Sequence, residues 1–168
     1  MILSGKGHRL PQNDDINTDY IISGRYKFKI QDPLELAKHV MEDLDPQFYS
    51  KLKKGDFIVA GTNFGCGSSR EQAPMAIKYA GVSAVLAKSF ARIFYRNCFN
   101  LGLPAIECDT DGIAEGDELE LDLDKGIIKN KTKNKNIKIS PIPKTMQILL
   151  SDGGLVEHFK KHGGFKLG

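Results

Sequence analysis

The chain has 168 residues, 40% of them hydrophobic and 27% charged, with a formal net charge of +3. This is the size of one ordinary globular domain with a core that needs no staples, and the charge is too small to point to nucleic acid or a membrane surface. No stretch reaches the roughly 18 apolar residues that span a bilayer, and Met1 to Leu10 lacks the apolar run of a signal peptide, so the cytoplasm is the expected location.

Ile2 to Leu10 is an expected opening strand, followed by a polar, turn-rich segment from Pro11 to Asp19. Asp32 and Pro33 open a helix from about Leu34 to Met41, with Asp32 as N-cap and Pro33 as the first helical residue. A polar loop covers about Asp43 to Gly55. Phe57 to Ala60 is a continuous apolar run, the pattern of a strand covered on both faces. Gly61 to Ser69 is a glycine-rich loop. Arg70 to Ala80 is an expected helix that stops at Gly81 and tolerates Pro74 only in its first turn.

Val82 to Ala87 is a second buried strand. Phe90, Ile93, Phe94, Cys98 and Leu101 recur at helical spacing, and Gly102 ends that helix before a third short strand, Leu103 to Ile106. Strand, helix, strand, helix and strand across 57–106 are the mark of parallel α/β units. Asp117 to Leu123 alternates acid with leucine, as a half-buried strand does. Strand-like pieces punctuated by Gly126 and Asn130 reach Ile139. Their lysines have no aromatic residues among them, and a solvated edge guarded by lysine explains them better than a nucleic-acid surface. Thr145 to His162 reads as one or two short helices.

Cys66, Cys98 and Cys108 form no C-x-x-C pair. Neither a disulfide framework nor a self-contained metal site is expected, because ligand pairs commonly lie about two to four residues apart. Any metal would arrive on another chain. His8, His39, His158 and His162 show no supporting constellation and read as surface or structural residues.

The densest chemical signal is the run from Gly61 to Glu71, Gly-Thr-Asn-Phe-Gly-Cys-Gly-Ser-Ser-Arg-Glu. It joins a buried strand to a helix start. Glycines permit close backbone approach, a helix start offers unpaired N–H groups to an anion, and Arg70 supplies a fork for a carboxylate. The run is not a P-loop, a dinucleotide fingerprint or a nucleophile elbow. In this context it points to a carboxylate-binding site.

The stretch Asn63-Phe-Gly-Cys-Gly-Ser-Ser-Arg-Glu, followed by Lys88-Ser-Phe-Ala-Arg-Ile and preceded by Asp15-Ile-Asn-Thr-Asp-Tyr-Ile-Ile, resembles the swivelling domain of the aconitase superfamily. The resemblance covers essentially the whole chain, 1–168 as a single domain, and is closest to the separate small subunits of isopropylmalate isomerase and homoaconitase. It implies a β/β/α swivelling fold, here a short parallel core with helices and barrel-like flanking strands.

It also implies a hydro-lyase that works only with a large aconitase-like subunit, in a heterodimer or heterotetramer. That subunit would hold a 4Fe-4S cluster, and this chain would bind none. Ser68 would be the base that removes a proton beside a carboxylate. Ser69 and Arg70, with the Gly67 backbone, would bind substrate, and Asp19 would orient the groups around the serine. Cys66 reads as a small packed residue. Gln72 stands where the family commonly has histidine.

In such subunits a loop after the Thr-Asp pair contacts the variable end of the substrate. Here that loop is Gly24 to Lys29, with Phe28 at its tip and Lys27 and Lys29 beside it. An apolar tip suits an isopropyl group and leaves a carboxylate unpaired. The expectation is therefore interconversion of 2- and 3-isopropylmalate in leucine biosynthesis. A homoaconitase or other branched-malate dehydratase subunit is the nearest alternative, and a small-carboxylate binding module without chemistry is another. The substrate class is a small di- or tricarboxylate, with no nucleic acid and no membrane.

Overall fold

The computed structural model describes residues 1–164. Strand β1 (Ile2–Arg9) runs parallel to β2 (Phe57–Val59), β2 to β3 (Ala84–Ala87), and β3 to β4 (Ala105–Glu107). On its other side β1 pairs antiparallel with β5 (Glu118–Asp122), which continues through β6 (Ile127–Asn130) to β7 (Lys135–Lys138). The order β4-β3-β2-β1-β5-β6-β7 thus joins a parallel half to an antiparallel half through β1. The two outer edges then meet. Cys108, just beyond β4, bridges Ile139, just beyond β7, and the Ser140 amide donates to the Glu107 carbonyl at 2.9 Å. This curling bears out the barrel-like flank expected from the alternating strands.

Side-chain alternation along the strands builds two cores. Phe57, Val59, Ala84, Leu86 and Ile106 point inward to meet Leu119, Leu121 and Ile128. Ile58, Ala60, Val85, Ala87 and Ala105 point outward under the helices. A period of two places neighbours on opposite faces, and both faces of the parallel strands are buried, as their unbroken apolar runs required.

Helices α5 (Gln72–Tyr79) and α6 (Arg92–Asn100) cover the outer face. α7 (Lys144–Asp152) and α8 (Leu155–His162) follow the antiparallel half. Between β1 and β2 lie four short helical turns: α1 (Thr18–Ile21), α2 (Gly24–Lys27), α3 (Pro33–Ala37) and α4 (Phe48–Lys51).

Asp32 caps α3 as expected, its carboxylate accepting from the Leu34 amide at 3.1 Å. The helix stops at Ala37 rather than Met41. Met41 instead takes φ +57° and donates its amide to the Ile21 carbonyl at 2.8 Å, so a tertiary bond ends the helix. α5 begins at Gln72 rather than Arg70, which leaves the Ser-Ser-Arg triplet on the loop. Pro74 then falls in the first turn, where no intrahelical bond is lost.

Two of the histidines fall on the structural side of their reading, each with acidic partners that the spacing did not reveal. His8 is buried between Asp56, at 2.7 Å, and Glu115, at 2.8 Å. His158 is wholly buried against Asp152. Pattern reading missed both because the acids lie 48, 107 and 6 positions away.

Candidate functional site

The site is assembled where β1, β2 and β3 end, at the carboxyl edge of the parallel strands, the usual position for ligands in open α/β sheets. The 61–69 loop is stitched on both sides by backbone bonds. Toward the segment after β1, Asp15 donates to Thr62, Gly65 to Ile16 and Thr18 to Cys66, at 2.8–2.9 Å. Toward the segment after β3, Lys88 donates to Gly61, Phe64 to Ser89 and Ala91 to Phe64, at 2.9–3.0 Å. Side chains reinforce the stitching. Asp14 accepts from the Thr62 amide at 2.7 Å, and Asn63 donates its side-chain amide to Asp15 at 2.9 Å.

Two glycines make this route possible. Gly65 has φ +83°, and a Cβ there would sit 2.1 Å from the Phe94 ring. Gly67 has φ +92° and lies against Asn17 and Thr18. Left-handed backbone without side-chain bulk is what glycine provides.

Thr18 is the pin. It is buried, and its hydroxyl donates to the Ser68 carbonyl at 2.8 Å. Asp19 is the next residue, in the first turn of α1, and so follows directly on the threonine that pins the triplet. Ser68 and Ser69 are exposed and Arg70 is half-buried. The backbone amides of Gly67, Ser68, Ser69, Arg70 and Glu71 engage no acceptor among the described residues. Consecutive unpaired amides form a ready cradle for an anion.

A cleft of about 210 Å³ opens beside this cradle. Gly67, Ser69 and Arg70 line it, together with Thr18, Arg92 and Asn97. Ser68 is exposed beside the cleft rather than in its lining. Arg92 is the residue that sequence reading left without a role. It lay in the quoted Lys88–Ile93 stretch, and the available signal was its place at the start of α6, just after β3, where neighbouring parallel strands deliver their loops to one spot. Neither Arg70 nor Arg92 pairs with a carboxylate among the described residues. Two uncompensated guanidiniums on one small cleft suit a dicarboxylate.

The substrate-loop expectation also lands here. Phe28, at the end of α2, is 75% exposed, and its ring centre lies 5.4 Å from the Arg70 guanidinium carbon. The loop is braced from below: Tyr26 stacks on His39 with centroids 3.8 Å apart, and Arg25 pairs with Asp43 at 2.7 Å. The side chain of Lys27 lies outside the described part of the structure.

Residues 16–111 match the family model for the aconitase C-terminal domain, and the chain belongs to that family. Within it the chain is similar to the 3-isopropylmalate dehydratase small subunits. It is 60% identical to small subunit 2 of Archaeoglobus fulgidus, over 92% of this chain and 93% of that protein. It is also 60% identical to the small subunit of Caldicellulosiruptor saccharolyticus, over 95% and 92%. The crystal structure of a 3-isopropylmalate dehydratase from Methanocaldococcus jannaschii superposes with a TM-score of 0.93 at 52% identity, covering 97% of this chain and 96% of that one.

Proposed function

We propose that this chain is the small subunit of a 3-isopropylmalate dehydratase, a hydro-lyase that interconverts 2- and 3-isopropylmalate through their shared dehydrated intermediate in leucine biosynthesis. One observation carries the reading: the amides of 67–71, which meet no acceptor among the described residues, lie beside a cleft walled by Arg70 and Arg92. That arrangement holds carboxylates and favours negative charge on whatever sits among its donors.

The reaction removes a proton from the carbon beside a carboxylate and expels a hydroxide. Ser68 is the base in this reading. A serine oxygen accepts such a proton only if its alkoxide is stabilised, and the loop amides and Arg70 supply that stabilisation. Thr18 holds the Ser68 backbone in place, and Asp19 orients neighbouring groups. Ser69, Arg70, Arg92 and the Gly67 backbone grip the carboxylates, while Phe28 and Lys27 meet the variable arm. The chain acts as one swivelling unit that closes over the reacting centre and excludes water.

The expelled hydroxide calls for a Lewis acid, and the resemblance implies a 4Fe-4S cluster. The donors of this chain do not fit one. Burial pushes the Cys98 thiol well above its usual range and the Cys108 thiol up to about 12, and burial with the nearby Asp15 raises Cys66. Among the described residues no thiol gathers with other ligand groups. A large partner subunit carrying the cluster is therefore part of the proposal. Three free thiols also suit a reducing cytoplasm, and among the described residues no helix is long and apolar enough to cross a membrane.

The test is reconstitution with a large aconitase-like subunit and assay of isopropylmalate against homoaconitate. Turnover of isopropylmalate only in the mixture supports the reading. Turnover of homoaconitate alone, or tight dicarboxylate binding by this chain with no turnover in any mixture, contradicts it.

A further inference from the structure

At the far end of α6 from Arg92, a second constellation lies where α7 turns into α8. Asp152 is the last residue of α7. His158 and His162 are one helical turn apart on α8 and share a face. The His158 Nδ1 lies 2.7 Å from Asp152 Oδ2, and the His162 Nε2 lies 3.1 Å from that same oxygen. The three donor atoms fall within 4.8 Å of one another.

The elements that carry them are fixed. Gly153 and Gly154 have φ of +87° and +119°, and a Cβ on Gly154 would come within 2.6 Å of the Asn100 carbonyl at the end of α6. The turn is therefore seated against α6 and holds the aspartate over the helix. The side chains of Asp152 and His158 are 6% and 0% exposed, whereas His162 is 33% exposed and opens the cluster to solvent.

We propose that Asp152, His158 and His162 form a binding site for a divalent d-block cation of the zinc class. Two imidazoles and a carboxylate are the borderline donors such an ion takes. Bonds of about 2.0–2.1 Å at tetrahedral angles set ligand atoms about 3.3 Å apart. The two contacts to Asp152 Oδ2, 2.7 and 3.1 Å, need to open toward that spacing, while the two imidazole nitrogens, within 4.8 Å of each other, close toward it, and a hinge of the partly exposed His162 makes most of the adjustment. Each imidazole presents a lone pair to the ion, so cation uptake releases to bulk water the proton that His158 Nδ1 or His162 Nε2 now shares with Asp152 Oδ2. A water completes the fourth position on the His162 side. Lys161, 3.0 Å from Asp152 Oδ1, keeps the outer oxygen and orients the carboxylate. The bound ion clamps α8 to α7.

Metal-stripped full-length chain is titrated with zinc by calorimetry and with cobalt(II) by absorption. The expected result is one zinc per chain, a tetrahedral cobalt spectrum without thiolate charge-transfer bands, and a thermal midpoint raised by zinc. His162→Ala, at a partly exposed position, keeps the fold. It should weaken zinc binding by more than the roughly 10–100-fold that loss of an outer-shell partner costs, and zinc should no longer shift its midpoint. No uptake by the wild-type chain, thiolate bands in the cobalt spectrum, or equal affinity in His162→Ala would overturn the proposal and leave the cluster as a hydrogen-bonded clasp.

Discussion

The guanidinium of Arg70 stands over the ring of Phe28, 5.4 Å from its centre. The contact couples the group assigned to the substrate's carboxylate with the group assigned to its variable arm. A cation over an aromatic face gains about 0.5–1 kcal/mol at an exposed position. The ring both positions Arg70 and presents an apolar surface beside it.

Phe28→Leu removes the ring contact and keeps the apolar tip. Its kcat/KM for isopropylmalate should fall only a few-fold, in line with the ~0.5–1 kcal/mol at stake. Phe28→Arg sets a second guanidinium against Arg70 and should cost about tenfold or more, equivalent to ~1.4 kcal/mol. Steady-state kinetics of the reconstituted enzyme check this. Equal effects from the two substitutions would refute the loop assignment.

Arg92→Gln keeps a polar hydrogen-bonding group, on a shorter stem, but removes the charge and the guanidinium fork from the cleft. A charged hydrogen bond is worth about 1.5–3 kcal/mol, so KM should rise about tenfold or more while kcat changes less. Co-elution with the large subunit should be unaffected. A lowered kcat at unchanged KM would place Arg92 elsewhere in the cycle.

The positions of both arginines show how far the sequence could be read. The alternating pieces from Phe57 to Ile106 were legible because unbroken apolar runs and helical spacing leave separate signatures, and the Asp32 cap was legible because its signal is local. The nearness of Arg92 to Ser69 was not, because it arises from backbone pairing of Phe64 with Ser89 and Ala91, some 25 positions along the chain. α1 and α2 escaped because four residues are too few to show a period. The helix expected at Arg70 starts two residues later because the triplet is held by Thr18 rather than by the helix. The meeting of Cys108 with Ile139 depends on how strongly the sheet curls, and no residue spacing encodes that.

Gly65→Ala tests whether the loop's route is as constrained as its surroundings imply. Left-handed backbone costs a non-glycine residue about 1–2 kcal/mol, and the added methyl would meet Phe94 at 2.1 Å. The thermal midpoint should fall by at least about 4 °C, at roughly 2–4 °C per kcal/mol for a chain of this size. Gly112→Ala, where a Cβ meets nothing within 4 Å, should leave it almost unchanged. Equal midpoints in the two variants would contradict the packing described.

Asp56 ties stability to pH. Burial alone would raise its pKa, but the amides of Lys53 and Lys6 and the His8 ring outweigh burial and hold it below the ordinary carboxylate value. A group depressed on folding stabilises the native state above its unfolded pKa, about 3.9. That stability is lost as pH falls through the lower folded value. Denaturant midpoints should therefore drop below about pH 4. Asp56→Asn should be less stable at pH 7 and show a shallower acid limb. An unchanged acid limb would show that other carboxylates set it.

The most direct measurement of the central claim is the turnover of Ser68→Ala in the reconstituted enzyme, alongside its assembly with the large subunit and its binding of isopropylmalate. The account predicts that turnover disappears while assembly and substrate affinity stay close to wild type, because Ser68 is exposed and its hydroxyl makes no hydrogen bond among the described residues. Near-normal turnover would mean that some other group takes the proton.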